Sequence, residues 1–182
     1  MNSFLLKILA DPITGQPLKL EDDALMEETG GNKYPVIQNV PRLVQATPAV
    51  TAAEKGTFDY SSHYEKDAVV VDYFQEDDFP ATRNERRRSR QMIISQVPDN
   101  CKTILDIGCG GAWVADHFLK KGKQVISMDI SSVNPVKALQ LHPHPNHAAI
   151  VADAFYLPFA DASIDCIIAS EVIEHVVDPA LF

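Results

Sequence analysis

The stretch Thr103-Ile-Leu-Asp-Ile-Gly-Cys-Gly-Gly-Ala112 decides the fold, because it joins a short apolar run to a glycine-rich turn. One acid, Asp106, interrupts the apolar run, and three glycines follow within residues 108–111. The apolar spacing of residues 113–119 then predicts a helix. A strand, a glycine turn and a helix in this order open a doubly wound α/β domain. The stretch therefore predicts a turn that binds a nucleotide-type ligand.

The alternation of apolar runs and helical patterns continues downstream of this turn. Strands are predicted at 124–128, 148–151 and 163–170, with a helix at 133–141 and a helical turn at 171–177. Either Ser131 or Ser132 is expected to cap the first of these two helices. The fold class predicted is α/β: a Rossmann-like doubly wound sheet with its first four strands present, and a small N-terminal α+β domain. Its ligand should lie outside the carboxyl ends of the strands.

Composition limits the classes of protein that need to be considered. The 182 residues suffice for one medium domain and a small additional unit, and the formal net charge of −9 disfavours broad binding to nucleic acid or anionic membranes. Three cysteines without a CxxC pair suit a reducing compartment. The sequence shows no signal peptide and no apolar run long enough to cross a bilayer. We therefore expect a soluble, cytoplasmic protein without membrane insertion.

Residues 1–46 are predicted to form a separate small domain. Apolar residues at 4, 5, 8 and 9 have helical spacing, residues 11–17 form a turn, and 18–20 suit a strand. The acidic stretch 21–28 leads to a Gly-Gly-Asn hairpin signal, and short extended pieces complete the unit. The small and polar residues 47–57 have the composition of a linker.

The segments "LLKILADPITGQPL" and "YPVIQNVPRLV" resemble the small zinc-ribbon-like domain that activates several methyltransferases. That family often has Cys-Pro-x-Cys where this chain has Asp11-Pro-Ile-Thr14, so the thiolates that would hold zinc are missing. We predict no zinc here. A packing or dimerisation role and a substrate-recruiting role both remain open for this domain.

Residues 58–100 are predicted to form a helical lid or cap region that carries an arginine cluster between 83 and 90. The helix ends before Pro98, and Met92, Ile93 and Val97 are assigned to its apolar face. The arginines are interpreted as a solvated basic face. The alternative is that one arginine and the aromatic residues Phe58, Tyr60 and Tyr64 close over a ligand carboxylate.

The run from Leu105 to Val177 resembles the class I S-adenosylmethionine-dependent methyltransferases, in the branch of the quinone-biosynthesis enzymes. The resemblance implies S-adenosyl-L-methionine as cofactor, with the acid and glycine turn at 106–110 against its methionine part. It implies that Asp129 binds the ribose hydroxyls and that Asp153 reads the adenine edge. Ala112 replaces the third glycine usual in the motif. The implied cofactor-binding residues are Asp106, Gly108, Cys109, Gly110, Asp129, Ile130, Asp153, Ala154 and Glu171.

Glu171 and His175 are the candidate catalytic residues, since they follow the fourth strand beside the expected cofactor position. The alternative is that residues 174 and 175 only orient the loop. No metal site is predicted, because the Glu-x-x-Glu-His motif lacks a further histidine and the histidine-rich segment 142–147 is interpreted as a surface loop. Cys109 has neither a base nor a cation in its neighbouring sequence, which argues against a nucleophilic role.

A small-molecule acceptor is the preferred substrate for a methyl group. An RNA methyltransferase that recruits its substrate through the N-terminal domain, and a cofactor-binding module without turnover, are the alternatives. A dinucleotide dehydrogenase is disfavoured because Trp113 stands where its motif needs glycine. The apolar fourth strand should not form an open edge, so we expect a further segment of a longer protein, or a second copy in a homo-oligomer, to cover it.

Overall fold

The computed structural model describes residues 1–44, 60–70, 79–176, 178–180 and 182. The predicted linker and Phe58 lie outside these residues, and Tyr60 and Tyr64 are described only as backbone. The helices are α1 (Ser3–Leu6), α2 (Tyr60–Val70), α3 (Pro80–Gln96), α4 (Trp113–Leu119), α5 (Asn134–Leu141) and a 3-10 turn (Ile173–His175). The strands are β1 (Leu18–Glu21), β2 (Ala24–Glu27), β3 (Lys33–Ile37), β4 (Val40–Pro41), β5 (Thr103–Ile107), β6 (Gln124–Asp129), β7 (His147–Val151) and β8 (Cys166–Ala169).

The central element is a parallel sheet with the order β7-β6-β5-β8 in the described part of the chain. Its β5–β6 and β5–β8 ladders place Leu105 between Ile126 and Ile167, on one face of the sheet. This order is that of the first half of a doubly wound fold, with the first strand at the centre. The α/β, Rossmann-like fold class predicted from the sequence is therefore confirmed for this sheet.

Helices cover the first face of this sheet. Val114 and Phe118 of α4 are fully buried against Ile104 and Val125 of the two central strands. Three partly buried residues at the carboxyl end of α3 (Ile93, Ile94 and Val97) pack against the same cluster. Met92 is 66% exposed, so its assignment to the apolar face was wrong. Ile94 takes that place, since it is partly buried and packs against the cluster.

The N-terminal residues cover the second face, where another doubly wound protein would place helices. Leu5, Leu9 and Leu43 belong to the same buried cluster as Leu105 and Ile126 of the central strands. Four N-terminal strands, in the order β1-β2-β3-β4 within the described residues, form an antiparallel sheet over this cluster. The boundary drawn at residue 46 stays a prediction, and one continuous core joins the regions on both sides of it.

The turn at Asp11 is held by hydrogen bonds to a single buried carboxylate. Its Oδ1 accepts from the amides of Ile13 (2.8 Å) and Thr14 (3.0 Å), and its Oδ2 accepts from Asn32 Nδ2 (3.1 Å) and Tyr34 Oη (2.9 Å). Burial opposes ionisation of this group, but the four hydrogen bonds outweigh burial and lower the pKa of Asp11. The carboxylate therefore ties the turn to the hairpin between β2 and β3.

Several local predictions differ from the structure. The predicted helix over residues 4–9 ends at Leu6, and the acidic stretch 21–28 contains β2, whose Leu25 is fully buried. The N-cap position of α5 is Val133, without a side-chain cap, although Ser131 Oγ accepts from the Val133 amide at 3.1 Å. The fourth strand is confined to residues 166–169, because Asp165 instead accepts hydrogen bonds from the amides at the start of β5.

The interpretation of the histidine-rich segment as a surface loop fails at His147, which opens β7 and is 3% exposed. Its Nδ1 lies 2.8 Å from the carbonyl oxygen of His142, so this nitrogen carries the proton. Its Nε2 then accepts from the hydroxyl of the buried Ser127 at 2.9 Å. Burial lowers the pKa of His147, which favours the neutral ring that these two hydrogen bonds require. No helix in the described ranges combines the length and apolarity needed to cross a bilayer.

Candidate active site at the carboxyl ends of the parallel strands

Three acids predicted from the sequence lie on adjacent strands of the parallel sheet. Asp106 is the fourth residue of β5, Asp129 is the last residue of β6, and Asp153 lies two residues beyond β7. The amide of Ala152 donates to the backbone oxygen of Asp129 at 3.1 Å, which joins the ends of the last two strands. The three acids therefore lie at the carboxyl ends of three neighbouring strands, which is where ligands of this fold class bind.

The glycine turn between β5 and α4 passes close to two neighbouring segments. Gly108 has a φ of +67°, and a Cβ built on it would lie 2.6 Å from Cγ2 of Val172, which follows β8. A side chain at this position would therefore push the β8 loop away. The Cys109 amide donates to the Met128 carbonyl at 2.9 Å, so the turn is also fixed to β6. Ala112 adopts a left-handed φ of +53°, which is the conformation that the usual glycine would take without strain.

Asp129 is the acceptor around which the neighbouring backbone is arranged. Its Oδ1 accepts from the Ser131 amide at 2.9 Å, and its Oδ2 accepts from the Gly110 amide at 3.3 Å and from Asn134 Nδ2 at 3.1 Å. Burial raises the pKa of Asp129, and these hydrogen bonds act in the opposite direction. The carboxylate thus links the glycine turn to the first residue of α5, and its role toward ribose hydroxyls stays a prediction.

Asp106 differs from Asp129 in the hydrogen bonding of its carboxyl group. The residue is 2% exposed, and its Oδ2 has no hydrogen-bond partner among the described residues. Burial raises the pKa of Asp106 well above its usual range, and the charge of Asp129 raises it further. A buried oxygen without a partner is costly, and a cationic or hydrogen-bond-donating ligand would remove this cost.

The remaining predicted cofactor residues lie around this edge. The Phe155 amide donates to Asp153 Oδ1 at 2.9 Å and so closes a turn at the end of β7. Ala154 is partly buried against the core, and Ile130 is partly buried beside Asp129. Cys109 is 2% exposed, and burial, followed by the charges of the two nearby acids, raises the pKa of its thiol well above the usual range. This environment disfavours the thiolate that a nucleophile needs.

The two candidate catalytic residues follow β8 at the same edge. Glu171 is exposed and has a left-handed φ of +56°, a conformation that costs a residue with a side chain about 1 kcal/mol or more. His175 is exposed and ends the 3-10 turn, where its amide donates to the Val172 carbonyl at 2.9 Å. The structure therefore brings both residues to the strand ends, while their roles in catalysis stay predictions.

Two residues near this edge were not found from the sequence. Asn134 is 5% exposed and supports Asp129, and its place in the first turn of the helix predicted at 133–141 was a signal that could have been used. Glu65 of α2 binds the Ser132 amide, but no local pattern connects residues 67 positions apart.

Of the arginines, Arg90 stacks over the ring of Trp113, with its Cζ 5.5 Å from the ring centroid. The described residues contain no group of three or more acids, histidines or cysteines arranged to hold a metal ion.

Comparison with known proteins first defines the class of this segment. Residues 105–182 match the family model described as a methyltransferase domain. The match begins inside β5 and includes the glycine turn, the acids at 106, 129 and 153, and β8. It agrees with the Rossmann-like parallel sheet and implies S-adenosylmethionine as the methyl donor.

Particular relatives narrow the comparison further. The chain is 38% identical over 81 residues to the ubiquinone biosynthesis O-methyltransferase of Rhodopseudomonas palustris, a match that covers 43% of this chain and 32% of that protein. Enzymes of the same name from Nitrobacter winogradskyi (38% over 81 residues, 43% of this chain and 31% of the relative) and Paracidovorax citrulli (33% over 94 residues, 48% and 39%) are also similar. The chain therefore spans about a third of the length of these curated relatives.

Proposed function

We propose that this protein is an S-adenosylmethionine-dependent methyltransferase that transfers a methyl group to a small-molecule acceptor. The observation that carries the proposal is the buried, unpartnered Oδ2 of Asp106 beside a glycine turn too tight for a side chain at Gly108. The family match over residues 105–182 supports the same reaction class. When bound, S-adenosylmethionine supplies an activated methyl group.

The residues present fit this cofactor in charge and in shape. The amino group of its methionine part is a cation with hydrogen-bond donors, which is what the unpartnered oxygen of Asp106 lacks. The turn itself depends on glycine, because Gly108 has a left-handed φ and a Cβ there would lie 2.6 Å from Cγ2 of Val172. Asp129 and Asp153 lie on the next two strands, and we assign them to the ribose and adenine parts.

A hydroxyl oxygen on a small molecule is the acceptor that we propose. The relatives are named O-methyltransferases, and the net charge of −9 disfavours a polyanionic substrate such as RNA. An oxygen nucleophile has to lose a proton during transfer, and we assign the imidazole of His175, which follows β8, to accept it. Glu171, between β8 and the 3-10 turn, is proposed to orient the cofactor or the acceptor.

The test measures cofactor binding by isothermal titration calorimetry, with S-adenosylmethionine and S-adenosylhomocysteine, for the parent protein and for Asp106→Asn. We expect the variant to bind both ligands at least tenfold more weakly, because a neutral amide cannot attract the ligand's ammonium group. Its melting temperature should stay equal or rise, because the substitution removes a buried acid whose ionisation burial opposes. Loss of affinity without loss of stability is the expected signature of a binding residue.

Asp116→Asn is the matched control, since Asp116 is an exposed acid on α4 that pairs with Lys120 at 2.7 Å. Its affinity should equal that of the parent. Affinity of the parent should also fall as the pH decreases through the raised pKa of Asp106, because the protonated carboxyl loses its charge, whereas Asp106→Asn should lack this dependence. Absence of binding by the parent, or equal affinity in the parent and Asp106→Asn, would overturn the proposal.

A further inference from the structure

Glu65 of α2 makes a two-point contact with the loop that follows Asp129. Its Oε2 accepts a hydrogen bond from the Ser132 amide at 2.6 Å, and its Oε1 accepts from the Ser132 hydroxyl. Both carboxylate oxygens are therefore used on one residue, which fixes the orientation of the glutamate more closely than a single bond would. Ser132 lies three residues beyond Asp129, at the carboxyl edge of the parallel sheet.

The loop between β6 and α5 depends on this contact for one of its amides. The Ser131 amide donates to Asp129 and the Val133 amide donates to Ser131 Oγ, so both are satisfied within the loop. The Ser132 amide between them instead donates to Glu65, which lies on another helix. A carboxylate at this position also interacts favourably with the partial positive charge at the start of α5, because that helix has no side-chain cap of its own.

The two sides of α2 have different environments. Glu65 is partly buried and Ala68, three residues later on the same side, is 1% exposed. His63 and Asp67 lie on the other side, where their side chains form a 3.2 Å pair and are 44% and 38% exposed. Glu65 is thus on the side of α2 that packs against the protein.

We propose that Glu65 is a positioning residue of the cofactor site, which fixes α2 to the 130–133 loop and so slows release of the bound nucleoside. This inference rests on the proposed function. The loop that Glu65 holds carries the amides that orient Asp129, and Asp129 in turn fixes the glycine turn through the Gly110 amide. Loss of the glutamate would release both α2 and the outer side of this loop.

The experiment measures binding and release of S-adenosylhomocysteine by the full chain. Trp113, the sole tryptophan, begins α4 directly after the glycine turn and provides the fluorescence signal for stopped-flow measurements. We expect Glu65→Ala to raise the dissociation rate constant about tenfold and to change the association rate constant less than threefold. Glu65→Gln keeps a carbonyl acceptor for the Ser132 amide and should restore part of the slow release.

A double-mutant cycle and a control separate this role from a general effect on α2. Ser132→Ala removes the hydroxyl bond, and in the Glu65→Ala background it should have no further effect, because its partner is already absent. Asp67→Ala, on the exposed side of the same helix, should release the ligand at the parental rate. An unchanged dissociation rate in Glu65→Ala, or additive effects of the two substitutions, would overturn the inference while parental binding still supported the proposed function. Absence of ligand binding by the parent would overturn both.

Discussion

The two edges of the parallel sheet have opposite environments in the described part of the chain. At the β7 edge, the Leu43 amide donates to the Val151 carbonyl at 2.7 Å, and Arg42 forms a parallel bridge with the same valine. Every residue of β7 is buried. At the other edge, Ile167 of β8 is 51% exposed, although its neighbour Leu105 on β5 is fully buried.

This difference shows how far the N-terminal unit extends over the sheet. Its buried leucines reach β7, β6 and β5, and their cover ends before Ile167 on the same face. The unit therefore completes one edge and most of one face, which supports a packing role over one limited to substrate recruitment. Both roles stay proposals. We expect the closed β7 edge to contribute more to stability than the open β8 edge.

The largest effect is expected from truncating an apolar side chain at each edge. Leu43 is 2% exposed in the core shared by the N-terminal unit and the sheet, so Leu43→Ala should lower the free energy of unfolding by about 2–5 kcal/mol. Ile167→Ala removes a side chain that is half exposed and should cost about 1 kcal/mol or less. Urea denaturation followed by circular dichroism measures both. Equal losses would contradict the difference between the edges.

A smaller effect is expected from two acids, one buried in the N-terminal unit and one exposed just before β8. Asp11→Ala leaves two amides and the Asn32 and Tyr34 donors without their buried acceptor, which should cost about 2 kcal/mol. Asp165 also accepts from two amides, those of Lys102 and Thr103, but it is exposed and water can replace it. We expect Asp165→Ala to destabilise less than Asp11→Ala in the same urea measurement. A larger loss in Asp165→Ala would count against this ranking.

The smallest effect is a pH dependence located at the closed edge. Burial lowers the folded-state pKa of His147, so below the unfolded value of about 6.5 the unfolded chain binds a proton that the folded chain does not. Stability from this residue is complete above that pH and decreases as the pH falls, on the order of 1 kcal/mol between pH 7.5 and 5.5.

The difference in unfolding free energy between the parent and His147→Gln isolates the contribution of His147, because all other titratable groups are the same in both proteins. That difference should shrink as the pH falls from 7.5 to 5.5. A difference that stays constant or grows over this range would show that protonation of His147 does not weaken the β7 edge.

The parts of the fold that the sequence predicted are those encoded locally. The apolar run at 103–107, the glycines after it and the acid that ends β6 lie within short segments whose spacing identifies them. Ala112 departs from the motif, but its left-handed backbone keeps the shape that the motif requires.

The errors occurred where distant contacts decide the local structure. His147 looks like part of a polar loop until Ser127, on a neighbouring strand, supplies a partner for its ring. Glu65 binds Ser132 across 67 positions, and Ile94 rather than Met92 packs against the core of the sheet. The packing of residues 1–44 onto the sheet depends on shape complementarity, which the periodicity of apolar residues in the sequence does not predict.

The contact of the N-terminal unit with β7 also has a consequence for biosynthesis. The Asn2 side chain donates to the carbonyl of His147, 145 positions later, and the Leu43 amide donates to the carbonyl of Val151. Residues 2–43 leave the ribosome before β7, so they reach these partners only after β7 has emerged, and their apolar side chains stay exposed until then. Slow translation before residue 151 should lengthen the interval in which a nascent chain needs chaperone protection.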